Sequence, residues 1–220
     1  MVENMERRSI DFDEVPEAEL TVEKRANGVE VLTGYAAVYN RLSLPLREGG
    51  TAFREVILPG AFDKILSRRN IDVVALVNHD SSLLLGRTSS GTVELSSDQK
   101  GLRYTVTPPD TVLGRDTLTL VRRRDLRGSS FAFQVDPGKG ERFTNDDKGP
   151  VREIREVSTL HDVSVVLTPA YPASSVVVAQ RSYEAWLAEQ QEQPDEVVAR
   201  SFMASVAAAV SSALRLKLRG

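Results

Sequence analysis

The chain contains no cysteine, and only two of its 220 residues are histidine, His79 and His161. The first absence excludes disulfide scaffolds, thiolate zinc sites, iron–sulfur ligation and cysteine nucleophiles. The second leaves a polyhistidine metal centre almost without donors and restricts histidine-based proton transfer to two positions. Charge of one sign is lacking too. Twenty-eight basic residues stand against 31 acidic ones, for a net charge of −3. No global field therefore directs the chain to nucleic acid or anionic lipid. No apolar run reaches bilayer length, and Met1–Val15 lacks the apolar centre of a signal peptide. His-Glu-x-x-His, P-loop, Gly-x-Gly-x-x-Gly and Gly-x-Ser-x-Gly motifs are all missing. The expectation is a cytosolic protein with no metal, no cofactor, and no nucleic-acid or membrane partner.

Hydrophobic residues at 41% and charged residues at 27% suit a packed domain. Residues 1–18 read as a flexible polar leader, 19–180 as the main domain and 181–220 as a helical tail. Period-two alternation around Ala26-Asn27-Gly28 marks a hairpin, and Gly34–Tyr39 continues as a strand. Arg47–Thr51 reads as a loop and Ala61–Arg69 as a short helix burying Phe62, Ile65 and Leu66. Ile71–Asn78 is a compact apolar run, as in a buried strand. Further strands fall at Thr92–Leu95, Leu102–Thr107, Ser129–Val135, Val151–Val157 and Asp162–Thr168. A helix is expected over Gly114–Arg124 and a loop over Asp136–Pro150. The fold expected is mainly β with surrounding helices (α+β), a closed or nearly closed barrel of about seven strands. In the tail, helices are expected over Ser182–Gln193 and from Asp195 to about Leu218. The second carries a narrow apolar stripe, Val198, Phe202, Val206, Ala209, Ala213 and Leu216, that could pack on the barrel, pair two copies as a homodimer or dock another protein.

Three weak signals for chemistry fall in chain order. His79 ends the run Val73–Asn78, where a rigid strand can hold its ring at a cleft; a structural histidine satisfied by Asn78 or Asp80 is the plainer alternative. In Gly128-Ser-Ser-Phe-Ala-Phe133, alternation puts Ser129 with Phe131 and Phe133 on the core side. Ser130 shares the other face with Ala132 and Gln134, where small residues leave room for substrate, so Ser130 is preferred and Ser129 is the minority candidate. In Leu160-His-Asp-Val-Ser-Val-Val166 the adjacent His161 and Asp162 point to opposite faces. A serine nucleophile needs a base, and the base needs a partner to fix its tautomer. Asp162 does this best, and His161 is the weaker substitute. The order His79, Ser130, Asp162 differs from chymotrypsin-like, subtilisin-like and α/β-hydrolase triads.

Six ordered blocks then make the chain recognisable. They are Gly34–Asn40, Phe53–Phe62, Val77-Asn-His-Asp80 with Gly86-Arg87, Gly128–Phe133, Val157–Val166, and Pro169-Ala-Tyr-Pro172. Over Gly34–Ser175 the chain resembles the caudovirus prohead proteases, the phage capsid-maturation serine proteases similar in fold to the herpesvirus assemblins. The resemblance implies His79 as base, Ser130 as nucleophile and Asp162 as the acidic third member, where the pattern often has Glu. Assemblin relatives place a histidine third, which keeps His161 as a minority candidate. Oxyanion donors are expected at Ala170 and Tyr171, between two stiffening prolines. The implied substrates are the scaffold or the scaffolding segment of the major capsid protein, and the protease itself, inside the immature capsid in the host bacterial cytoplasm. A catalytically silent assembly protein retaining the barrel is the alternative, and intact His, Ser and Asp argue against it.

Overall fold

The computed structural model describes residues 5–11, 16, 19–48, 51–167 and 183–188. The chain divides into two units, Met1–Ser182 and Tyr183–Gly220. In the second, residues 183–188 form a helical turn on which the Tyr183 and Trp186 rings stack 5.7 Å apart. The expected helix from Asp195 lies outside the described residues.

The first unit is mainly β with few helices. Its strands are β1 (Glu6–Asp11), β2 (Thr21–Lys24), β3 (Glu30–Val38), β4 (Leu46–Glu48), β5 (Thr51–Ile57), β6 (Val74–Val77) and β7 (Asp80–Arg87). They continue with β8 (Val93–Ser97), β9 (Gly101–Val106), β10 (Gly128–Gln134), β11 (Glu141–Asp146), β12 (Gly149–Ile154) and β13 (Thr159–Val166). The helices are α1 (Asp63–Leu66) and α2 (Val112–Arg122). Thr111 caps α2 by accepting from the Gly114 amide, which starts the helix two residues earlier than expected.

The strands form three sheets, ordered β1-β10-β13-β6-β7, β11-β12-β5-β4 and β2-β3-β9-β8. Among the described residues no sheet closes on itself, so the closed or nearly closed barrel is not found. Among the described residues each sheet keeps two edge strands; side-chain packing joins the sheets, with backbone hydrogen bonds at their margins, from the Asn40 amide to the Ile57 carbonyl and from the Thr92 amide to the Arg87 carbonyl. One apolar core draws Leu32 and Tyr104 from the third sheet, Ile57 and Ile154 from the second, and Phe131 and Phe133 from the first. The Tyr39, Phe62, Phe131 and Phe133 rings contact in series at 6.2, 5.6 and 4.8 Å between centroids. That series ties the start of α1 to β10 and fixes the strand that carries Ser129 and Ser130. Where β9 begins, a Cβ on Gly101 would lie 1.9 Å from the Ala37 carbonyl oxygen, so only glycine allows β3 and β9 to approach.

Several stretches depart from expectation: Arg47–Thr51, read as a loop, contains the end of β4 and the start of β5, and β7 lies where no strand was expected. The segment 136–150 contains β11, which pairs with β12 throughout its length. The segment read as a leader contains β1, paired antiparallel with β10 from Glu6 opposite Phe133 to Asp11 opposite Gly128. It shows no apolar alternation, because Glu6 and Arg8 are buried against opposite charges rather than against hydrocarbon. Arg8 pairs with Glu6 and Glu55, and Arg152 pairs with Glu6, Glu55 and Glu141, all five residues being buried.

Candidate active site

Residues opposite one another on antiparallel strands project to the same face. In the first sheet Ser130 lies opposite Ser164 and Ala132 opposite Asp162. Sheet register thus gathers Ser130, Asp162 and Ser164 on one face. Immediately beyond, Ala132 is followed by a register shift in which Phe133 pairs with Leu160. His161 is the extra residue of that bulge.

His79 enters from the neighbouring strand. β6 runs parallel to β13 and turns into β7 through Asn78-His79, with Val77 opposite Asp80. Both turn residues have positive φ, 51° and 58°, the signature of a two-residue type I′ hairpin turn. Asparagine is common in this conformation, but the second position ordinarily goes to glycine. A left-handed backbone costs a side-chain-bearing residue about 1–2 kcal/mol. The turn is pinned to β13 on both sides: the Asn78 amide donates to the Val165 carbonyl at 2.9 Å, and Asn78 Oδ1 accepts from the Leu167 amide at 3.0 Å. These bonds hold the strained turn and aim the imidazole along the face that carries Ser130 and Asp162.

The side chains meet in a line. His79 Nδ1 lies 2.6 Å from Asp162 Oδ1, and His79 Nε2 lies 2.6 Å from Ser130 Oγ. With Nδ1 protonated, His79 donates to the carboxylate and offers Nε2 as the acceptor for the serine hydroxyl. Ser164 Oγ donates to Asp162 Oδ1 at 2.8 Å and lies 3.2 Å from His79 Nδ1. The histidine and aspartate side chains are only 9% and 8% exposed, so little water competes for either contact. The chain that belongs to these positions is one seen in serine hydrolases: acid, imidazole and hydroxyl in sequence.

The chain matches the sequence profile of the caudovirus prohead serine protease family over residues 17–189. It belongs to that family. Comparison with curated proteins and with solved structures returned no match. His79, Ser130 and Asp162 of this prohead serine protease all lie inside the matched span, whereas β1 lies outside it.

The remaining candidates fall elsewhere. Ser129 Oγ is 2.5 Å from the Tyr104 hydroxyl in the core, where burial raises the phenol well above its ordinary pKa and keeps it neutral. His79 Nδ1 is met by Asp162 rather than by His161, whose Nε2 is buried without a hydrogen-bond partner. Burial holds its imidazole below the usual value, against the pull of the neighbouring Asp162 charge. Ala170 and Tyr171 lie outside the described residues. Among the described residues no cluster of three His, Asp or Glu side chains could hold a metal, and no helix is long and apolar enough to cross a membrane.

One expectation about this site is corrected. The face carrying Ser130 does not open to solvent: Ser130 is completely buried. β1 covers it, with Ser9 opposite Ser130, the Ser9 hydroxyl donating to Ser130 Oγ at 3.0 Å and Ser130 Oγ donating to the Arg8 carbonyl at 2.9 Å. Sequence reasoning also missed Ser164 and Asn78. Ser164 stands two residues after Asp162, so the alternation used for Ser130 would have put it on the site face. Asn78-His79 between an apolar strand and a polar one carries a weak hairpin signal.

Proposed function

We propose that this family member is a capsid-maturation endopeptidase that uses Ser130 as nucleophile, His79 as general base and Asp162 as the partner of His79. The observation that carries this reading is the unbroken line Asp162–His79–Ser130 at two 2.6 Å contacts. His79 Nε2 takes the Ser130 proton as Oγ attacks a peptide carbonyl, then returns it to the leaving amine. Asp162 accepts from Nδ1–H throughout, holding the tautomer and stabilising the imidazolium. Ser164, by donating to the same carboxylate oxygen, fixes the Asp162 rotamer. Ala170 and Tyr171 supply the oxyanion donors, and water completes hydrolysis of the ester.

The substrates are the scaffold or the scaffolding segment of the major capsid protein, and the protease itself, cut inside the immature capsid in the host bacterial cytoplasm. The three sheets around one core are the counterpart of the family's barrel. The tail from residue 182 places the enzyme in the shell by pairing with scaffold or capsid helices. Co-expression with the capsid protein tests the activity: the wild-type chain shortens the capsid protein, Ser130→Ala does not, and Ser129→Ala still does. Equal behaviour of wild type and Ser130→Ala sinks the assignment.

A further inference from the structure

β1 sits where a substrate strand belongs. In the first sheet β10 is flanked by β13 on one side and β1 on the other, and β1 is an edge strand. It lies outside the family match, and among the described residues of the matched segment no strand pairs with the outer edge of β10, the kind of edge that takes an extended peptide. The register of the occupant brings one peptide bond to Ser130. The Arg8 carbonyl, which belongs to the Arg8–Ser9 bond, accepts from Ser130 Oγ at 2.9 Å.

The side chains of β1 are read as pairs of opposite charge. Arg8 forks onto Glu55, Nε to Oε1 at 2.5 Å and Nη2 to Oε2 at 2.7 Å. Glu6, two residues earlier, forks onto Arg152 at 2.6 and 2.8 Å. Glu55 and Arg152 belong to β5 and β12, and Glu141 of β11 balances Arg152 from behind. Without β1, Glu55 would lose its Arg8 partner and Arg152 its Glu6 partner, leaving one anionic and one cationic position beside the β10 edge. A carboxylate before the second-last position and a cation at the last would match them. A wrong residue would leave a desolvated charge unpaired, a severe form of discrimination.

We infer that the outer edge of β10, with Glu55 and Arg152, is the substrate-strand site, that it takes an extended Glu-x-Arg-Ser segment with the Arg–Ser bond at Ser130, and that β1 is its intramolecular occupant. The inference rests on the proposed role of Ser130. β1 also restrains the hydroxyl it covers. Ser130 has one proton, and the Arg8 carbonyl at 2.9 Å competes for it with His79 Nε2 at 2.6 Å. The chain with β1 in place is therefore held back until β1 leaves the edge. For a substrate in the slot, Ser130 Oγ bonds to the arginine carbonyl carbon and the Arg–Ser C–N bond breaks. The hydroxyl proton passes through His79 to the serine amine, and water cleaves the ester to a free carboxylate.

The test uses the full chain with two donor–quencher peptides, one carrying Glu-Arg-Arg-Ser-Ile-Asp, the sequence of β1, and a twin with glutamate in place of the second arginine. The first is cut between Arg and Ser with kcat/KM about a hundredfold or more above the twin. An Arg8→Glu chain, whose β1 is repelled by Glu55, cuts the first peptide about tenfold faster than wild type. Peptides cut alike, or neither cut, while the capsid protein is still shortened in a Ser130-dependent way overturn this inference and leave the proposed function standing. No Ser130-dependent shortening of the capsid protein overturns both. A folded Arg8→Glu chain with unchanged turnover overturns the occupancy of the slot by β1; should that variant not fold, the peptide pair on the wild-type chain decides.

Discussion

The strand that carries Ser130 has two neighbours, and they grip it by different physics. β13 lies against β10 through apolar side chains, with Val163 and Val165 buried in the common core, and delivers Asp162 and Ser164 to the site face. β1 is held by a desolvated cluster of three carboxylates and two guanidiniums, reaching across to the second sheet. Burial of hydrocarbon is indifferent to pH and roughly proportional to area. A buried ionic cluster is not: each member depends on the charge state of the others, and removing one strands the rest. The strand that carries Ser130 is thus held on one side by hydrocarbon and on the other by charge.

The sharpest way to separate the two sides is through the acid on β13. Asp162→Asn should lower kcat/KM by about 10⁴ while leaving the fold intact, because the amide favours the wrong imidazole tautomer. Peptide turnover and a thermal melt on the same preparation check both halves. A variant that loses activity only because it unfolds would show that Asp162 serves the sheet rather than the site.

On the other side, Arg152→Met should cost about 3–5 kcal/mol of stability, because Glu6, Glu55 and Glu141 lose a shared counter-ion. Urea unfolding measures this directly. Acid should reach the same cluster without mutation. Burial alone would raise the Glu55 carboxyl, but the charges of Arg8 and Arg152 outweigh it and hold its pKa below the usual value. A carboxyl lowered on folding contributes stability that is fully present above its unfolded pKa, about 4.3. That contribution is lost as pH falls through the lower folded value. Amides of residues 6–11 should therefore lose exchange protection below about pH 4 before those of β13, after correction for the intrinsic pH dependence of exchange. Simultaneous loss in both strands would erase the contrast. The smallest effect belongs to Ser164→Ala, which removes one hydrogen bond to Asp162, worth about 1–1.5 kcal/mol. It should lower kcat by about tenfold with KM unchanged.

What the sequence disclosed follows the same division. That His79, Ser130 and Asp162 could meet was legible because strand alternation and strand ends are local properties, and the apolar runs Val73–Asn78 and Leu160–Val166 advertise them. β1 was not legible. Glu-Arg-Arg-Ser-Ile-Asp reads as a solvated leader, since charge in a short segment is usually exposed. Only the long-range pairing of Arg8 with Glu55, 47 positions away, and of Glu6 with Arg152, 146 positions away, makes it a buried strand. The open face expected around Ser130 failed for that reason: alternation assigns a residue to a face and says nothing of what covers it. Asn78-His79 was hidden differently, because the turn places histidine where local preference expects glycine. The barrel was inferred from strand count, which does not determine whether sheet edges meet.

The central claim is that Ser130 is the nucleophile and that His79 activates it. Labelling the full chain with a fluorophosphonate and mapping the modified residue by peptide mass spectrometry tests this most directly. The label is expected on Ser130 in the wild-type chain and absent from the same peptide in His79→Ala. A label on Ser129, or one on Ser130 that forms equally well without His79, would contradict it.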